Sequence, residues 1–188
     1  MKDRRAAFLD RDGTIIEDVG YLRDSAEVCL LPRAGEAIAR LKKNNFVVVL
    51  VTNQSGIARG HLTTDEYRTT ESRLDALLAE QGASLDAQYF CPHLPELTGP
   101  CECRKPGTLL YRQAAERFGI DLSRSWWIGD RLRDVLPAKT LGGQGILLGT
   151  VEPDDAEGAR FRRARDLAAA VDLILEDIES RDPSLRSG

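Results

Sequence analysis

The chain has 188 residues, of which 42% are hydrophobic and 30% charged, with a formal net charge of −4. That length suits one domain with its own core, expected here over residues 1–188. The mildly acidic balance argues against nucleic acid as the main partner, and no apolar run is long enough to suggest a membrane span. The charged start Met1-Lys2-Asp3-Arg4-Arg5 precedes only a short apolar run, too brief for a signal peptide, so a cytoplasmic protein is expected.

Ala6-Ala7-Phe8-Leu9 reads as a strand buried on both faces. It delivers Asp10 and Asp12, which strand alternation can point the same way, and Gly13 then permits a tight turn. An isolated D-x-D is more often a solvated turn. Two acids this close repel, and a cation between them or a shared proton relieves the repulsion. Either answer suits phosphoryl chemistry, in which one carboxylate attacks phosphorus beside Mg²⁺ and its neighbour protonates the leaving oxygen.

Asp18-Val19-Gly20-Tyr21 follows as a loop that can overhang the carboxyl end of this strand. Cys29, inside Val28-Cys29-Leu30-Leu31, reads as a buried thiol. Gly35 to Asn44 has helical spacing. Phe46 to Val51 is the strongest strand signal and ends in Thr52-Asn53-Gln54-Ser55-Gly56, which offers hydroxyl, amide and backbone N–H groups to a phosphate. Ile57 to His61 extends that loop, with no role assigned to His61. Thr63 or Thr64 with Glu66 marks a capping box for a helix covering Tyr67 to Gly82.

A short strand, Ala87 to Phe90, leads into Cys91-Pro92-His93, and after one loop comes Cys101-Glu102-Cys103. Three thiolates and an imidazole on two knuckles make a closed tetrahedral set for Zn²⁺, with no position open to substrate, so a structural zinc is expected over residues 91–103. Arg104 and Lys105 follow the last ligand, and the staple would aim both cations at the site. Leu109 to Phe118 reads as a helix stopped by Gly119, and Ser125 to Asp130 as a strand ending in a carboxylate. Asp134 reads as a supporting partner of Asp130 or, by preference, as the N-cap of the next helix, with Pro137 in its first turn. Gly145 to Gly149 suggests a fifth strand, Val151 to Arg163 a charged, loop-rich stretch, Leu167 to Ile178 a last helix, and Ser180 to Gly188 a frayed end.

Alternating strands and helices imply an α/β, doubly wound parallel sheet, which binds ligands beyond the carboxyl ends of its strands. Asp10, Asp12, Thr52, Lys105 and Asp130 all fall at or after such ends. No apolar stripe is left over for a partner helix, so a monomer is expected.

F-L-D-R-D-G-T, V-T-N-Q-S-G, the lysine of C-R-K-P and G-D-R-L-R-D occur in the order of the four signatures of the haloacid dehalogenase-like phosphohydrolases, which this chain resembles. The resemblance implies a Rossmann-like sheet with a small zinc-stapled loop in place of a large cap domain. It implies Asp10 as nucleophile, Asp12 as proton donor, and Thr52 and Lys105 on the phosphoryl group. Mg²⁺ is then held by Asp10, Asp130 and the backbone carbonyl of Asp12.

Over roughly residues 5 to 150 the resemblance narrows to the heptose bisphosphate phosphatases, carried by D-R-D-G-T-I-I, D-V-G-Y, V-T-N-Q-S-G-I-A-R-G, C-P-H with C-E-C-R-K-P, and G-D-R-L-R-D. It implies release of the 7-phosphate of D-glycero-D-manno-heptose 1,7-bisphosphate in nucleotide-activated heptose and surface polysaccharide synthesis. Asp18, Val19, Gly20, Tyr21, Thr52, Asn53, Gln54, Ser55, Arg104, Lys105 and Arg131 then contact the sugar bisphosphate. Arg131 stands where that family usually has lysine, and the loop between the zinc knuckles is short. The similar signatures of histidinol-phosphate phosphatases give a second reading. A phospho-acceptor signalling domain is a third, disfavoured by the second acid of D-x-D-G-T.

Overall fold

The computed structural model describes residues 3–149 and 158–181. Six strands form one sheet: β1 (Ala6–Leu9), β2 (Val47–Asn53), β3 (Ala87–Cys91), β4 (Trp126–Gly129), β5 (Gln144–Leu148) and β6 (Arg162–Ala164). Every pairing is parallel and the order is β3-β2-β1-β4-β5-β6. The connections run through α1 (Ala34–Lys43), α2 (Ser55–Ala58), α3 (Thr64–Glu80), α4 (Pro95–Thr98), α5 (Leu109–Phe118), α6 (Leu132–Leu141) and α7 (Leu167–Arg181). Chain direction along the sheet reverses between β1 and β4, which opens a crevice at their carboxyl ends.

The unbroken apolar runs of β1, β2 and β4 follow from burial on both faces. Ala7, Leu9, Val48, Leu50, Trp126 and Ile128 pack with α1, α3 and α7; their alternates Ala6, Phe8, Val47, Val49 and Trp127 pack with α5 and α6. The register aligns Leu50, Leu9 and Ile128 in one row and Val49, Phe8 and Trp127 in the next, so each layer is continuous across the switch point. Trp127 lies against Phe8 at 4.9 Å and Tyr111 at 5.7 Å between ring centroids.

The α3 start follows the sequence pattern: the Thr63 hydroxyl accepts from the Glu66 N–H and the Glu66 carboxylate accepts from the Thr63 N–H. Several expectations are corrected. Cys29 is exposed, because Val28 turns inward and Cys29 outward while Leu30 bridges Ile16. Of the expected loop-rich stretch Val151 to Arg163, Arg162 and Arg163 belong to β6, which adds to the open edge of β5; residues 150–157 lie outside the described residues. Of the end expected to fray, Ser180 and Arg181 belong to α7, and 182–188 lie outside the described residues. Pro137 sits inside α6 beyond its first turn, where its missing N–H leaves the Arg133 carbonyl without the usual helical donor.

Candidate active site

Four segments converge on one cleft at the carboxyl ends of β1, β2 and β4. Its lining includes Asp10 and Asp12 after β1, Thr52 to Gly56 at the end of β2, Lys105 from the loop after α4, and Asp130, Arg131 and Arg133 around the start of α6. Asp18, Gly20 and Tyr21 close the rim, while Val19 is exposed outside the lining.

Asp10 extends the β1–β4 ladder, its N–H donating to the Ile128 carbonyl at 3.0 Å, which fixes its carboxylate at the switch point. Lys105, 3% exposed, donates from Nζ to Asp10 Oδ1 at 2.7 Å and to the Val51 carbonyl at 2.8 Å, and lies 2.7 Å from Asp134 Oδ1. Burial works against the Lys105 charge, but the Asp10 and Asp134 carboxylates outweigh it and raise the ammonium's pKa. The backbone of Lys105 is clamped as well: its N–H donates to Asn53 Oδ1 at 2.9 Å, and Asn53 Nδ2 donates to its carbonyl at 3.2 Å. The Asn53 amide therefore joins the end of β2 to the lysine loop.

Asp12 is gripped from behind. Arg11 donates from Nε to Asp12 Oδ1 at 3.1 Å and from Nη2 to Oδ2 at 3.2 Å. Gln54 Nε2 donates to Asp12 Oδ2 at 2.9 Å and to Thr52 Oγ1 at 3.1 Å. Burial pushes the Asp12 carboxyl up; the Arg11 charge opposes this, and the Asp10 charge adds to it. A carboxyl so placed holds a proton more readily than an exposed aspartate does.

Asp134 is not an N-cap. Arg131 holds that position, and Asp134, three residues into the motif, accepts from the Arg131 N–H at 2.9 Å while pairing with Lys105. Burial and then the Asp10 charge push its carboxyl up to about 6, against the pull of Lys105. Burial, followed by Asp10, also raises Asp130. Arg131 Nε lies 3.1 Å from Asp130 Oδ2 and its Nη2 lies 3.5 Å from Asp18 Oδ2, so the residue after the acid ties α6 to the rim loop.

The carboxylate oxygens of Asp10, Asp130 and Asp134 converge within 4.8 Å of one another. Gly13, at φ +72°, lets the loop after β1 press against Asp130: a Cβ there would meet Asp130 Oδ2 at 2.6 Å. An all-oxygen donor set drawn together this tightly fits a hard divalent cation. Across the rim, a Cβ on Gly56 would meet the Tyr21 ring at 2.6 Å, and that ring lies 4.4 Å from His61 between centroids. The D-V-G-Y loop and the S-G-I-A-R-G-H loop thus pack on each other.

Beyond the β3 end, Cys91 Sγ lies 3.7 Å from Cys101 Sγ, 3.1 Å from Cys103 Sγ and 3.6 Å from His93 Nδ1; His93 Nδ1 lies 3.2 Å from Cys103 Sγ. A tetrahedron with metal–ligand bonds of about 2.0–2.3 Å has edges of about 3.3–3.8 Å, close to these separations. Burial pushes the Cys91 thiol up, so a cation is what would let three sulfurs share this space as thiolates. Arg104 is turned back on this loop, its Nη1 donating to the His93 carbonyl at 3.2 Å, and it does not line the cleft.

Comparison with known proteins agrees with this geometry. The family model for polynucleotide kinase 3 phosphatase matches residues 5–139, and that for HAD-hydrolase-like proteins matches residues 102–179. The chain is 37% identical over 177 residues to the D-glycero-beta-D-manno-heptose-1,7-bisphosphate 7-phosphatase of Haemophilus ducreyi, covering 91% of this chain and 97% of that one. It belongs to the haloacid dehalogenase-like phosphatases, in the heptose bisphosphate phosphatase family. The corresponding protein of Yersinia pestis is 36% identical over 97% of this chain and 95% of its own. The crystal structure of D,D-heptose 1,7-bisphosphate phosphatase from B. bronchiseptica, complexed with magnesium and phosphate, superposes with a TM-score of 0.79 at 32% identity, covering 93% of this chain and 99% of that one.

Sequence reasoning passed over Arg133 in the cleft lining and Arg11 buried behind Asp12, and it preferred the cap for Asp134, which is buried behind Lys105. A signal existed for Arg11: it stands between Asp10 and Asp12, and a guanidinium buried there needs a carboxylate.

Proposed function

We propose that this phosphatase removes the 7-phosphate of D-glycero-β-D-manno-heptose 1,7-bisphosphate through an aspartyl-phosphate, in the cytoplasm, as a step towards nucleotide-activated heptose for surface polysaccharide. The observation that carries the reading is the Asp10–Lys105 pair facing Asp12 in one cleft, in a chain whose relatives over nearly their full length bear that activity in their names.

Asp10 attacks phosphorus in line, and the bond from phosphorus to the sugar oxygen breaks. Asp12 gives its proton to that oxygen, and burial supports its holding one. Asp12 then takes a proton from water, whose oxygen displaces Asp10 and releases inorganic phosphate. Lys105 and the Thr52 hydroxyl steady the equatorial oxygens. Asp10, Asp130 and the Asp12 carbonyl would hold Mg²⁺, with Asp134 supporting the lysine beside them. Mg²⁺ supplies neutralisation of the oxygens on the transferring group when bound.

Asn53 acts by holding the Lys105 backbone. Asp18, Gly20, Tyr21, Gln54, Ser55 and Arg131 face the substrate, with Val19 and Arg104 shaping the loops behind them. Zn²⁺ on Cys91, His93, Cys101 and Cys103 is structural; a reducing cytoplasm keeps those thiols available to it. The enzyme acts as a monomer.

The test is Mg²⁺-dependent phosphate release from heptose 1,7-bisphosphate as each anomer, beside histidinol phosphate and a 3′-phosphorylated oligonucleotide, with wild type and Asp10→Asn. The β-anomer is expected to turn over fastest and the variant to be inactive. Preference for histidinol phosphate or the oligonucleotide would sink the substrate assignment. A stable phosphoryl-protein without turnover would overturn the hydrolase mechanism.

A further inference from the structure

Charge accounting within the cleft leaves one cation over. Lys105 is engaged by Asp10 and Asp134, and Arg131 by Asp130 and Asp18. Arg133 lines the same cleft from the first turn of α6, is exposed, and has no hydrogen bond or ion pair among the described residues.

We propose that Arg133 binds the phosphate that is not transferred, and so sets the preference for a bisphosphate over a monophosphate. The inference rests on the sugar bisphosphate reading above. The transferred group must sit against Asp10 and Lys105, both buried at the cleft floor. A second phosphate on the same sugar then extends towards the mouth, where Asp18 would repel it. Arg131 cannot offset that repulsion alone, since its guanidinium is already shared between Asp18 and Asp130. Arg133 brings an uncommitted guanidinium, whose planar fork matches two phosphate oxygens. Its place in the first turn of α6 adds the positive end of the helix dipole on the same side.

The decisive comparison is between heptose 1,7-bisphosphate and heptose 7-phosphate, which differ only in the second phosphate, using wild type, Arg133→Gln and Arg133→Lys. Wild type is expected to favour the bisphosphate. In Arg133→Gln the ratio of kcat/KM for bisphosphate over monophosphate should fall about tenfold, mostly through KM, as for loss of one hydrogen bond to a charged group. Arg133→Lys should recover part of that ratio, because the charge stays and the fork is lost. Equal losses on both substrates, or none on either, would overturn the assignment while leaving the bisphosphate reading intact. A wild type that does not favour the bisphosphate would instead sink the substrate reading, and this inference with it.

Discussion

Arg11 meets both carboxylate oxygens of Asp12, at 3.1 and 3.2 Å, from a position only 1% exposed. Its remaining nitrogen donates to Thr70 Oγ1 at 3.2 Å, its Cζ lies 5.1 Å from the Tyr67 ring centroid, and Thr70 in turn donates to the Tyr67 carbonyl. The acid of the D-x-D pair is therefore oriented from α3. Replacing Arg11 by lysine keeps a charge but loses the fork, and should lower kcat on the sugar ester by about 10–100-fold, the cost of one or two charge-assisted bonds. p-Nitrophenyl phosphate leaves without a proton, so its pre-steady-state burst should suffer much less. Burst rates reduced equally for both esters would mean that Arg11 does not act through Asp12.

The two bonds between Asn53 and the Lys105 backbone make a second expectation. Asn53→Ala should loosen the ammonium beside Asp10 and cut kcat by about tenfold, with roughly 1–3 kcal/mol lost in stability. Kinetics alongside thermal unfolding would check it; an effect confined to KM would place Asn53 on the substrate instead.

Metal removal separates the two proposed ions. Chelation with EDTA followed by excess Mg²⁺ alone should leave the thermal midpoint several degrees low, and added Zn²⁺ should restore it. Cys101→Ser should behave like the zinc-free protein. Full recovery with Mg²⁺ alone would exclude a zinc contribution to stability.

Asp134 gives a pH signature. Its folded pKa of about 6 lies above the unfolded 3.8, so the folded chain holds the extra proton between those values. The ionised form is the disfavoured one, and stability falls as pH rises through that window, by roughly 2–3 kcal/mol once Asp134 is fully ionised. In Mg²⁺-free buffer, Asp134→Asn should therefore gain on wild type between pH 4 and pH 7. A difference in unfolding midpoint that stays flat across that range would contradict this placement of the Asp134 proton.

Where one interaction dominates locally, the sequence was readable. The apolar runs of β1, β2 and β4 could only be buried strands, and the clustered cysteines and histidine lie together as their spacing required. Misreadings arose where a distant partner decides the outcome. Asp134 looks like a cap until Lys105 arrives from another loop, because one carboxylate serves both. β6, with two arginines in three residues, has no strand signature of its own and exists because β5 presents an unpaired edge. In Val28-Cys29-Leu30-Leu31, period two and a continuous run look alike over four residues, and only the bridge from Leu30 to Ile16 tells them apart.

Both tryptophans of the chain are neighbours on β4, the strand that carries Asp130, yet Trp126 faces the α1 and α7 side and Trp127 the α5 and α6 side. The molecule thus has an intrinsic optical probe in each of its helical layers. Wild-type fluorescence averages the two, whereas Trp126→Phe leaves a signal from the layer beneath Tyr111 and Trp127→Phe one from the layer reached by Arg162. Unfolding followed in that pair of variants would reveal whether the layers melt as one cooperative unit or in sequence.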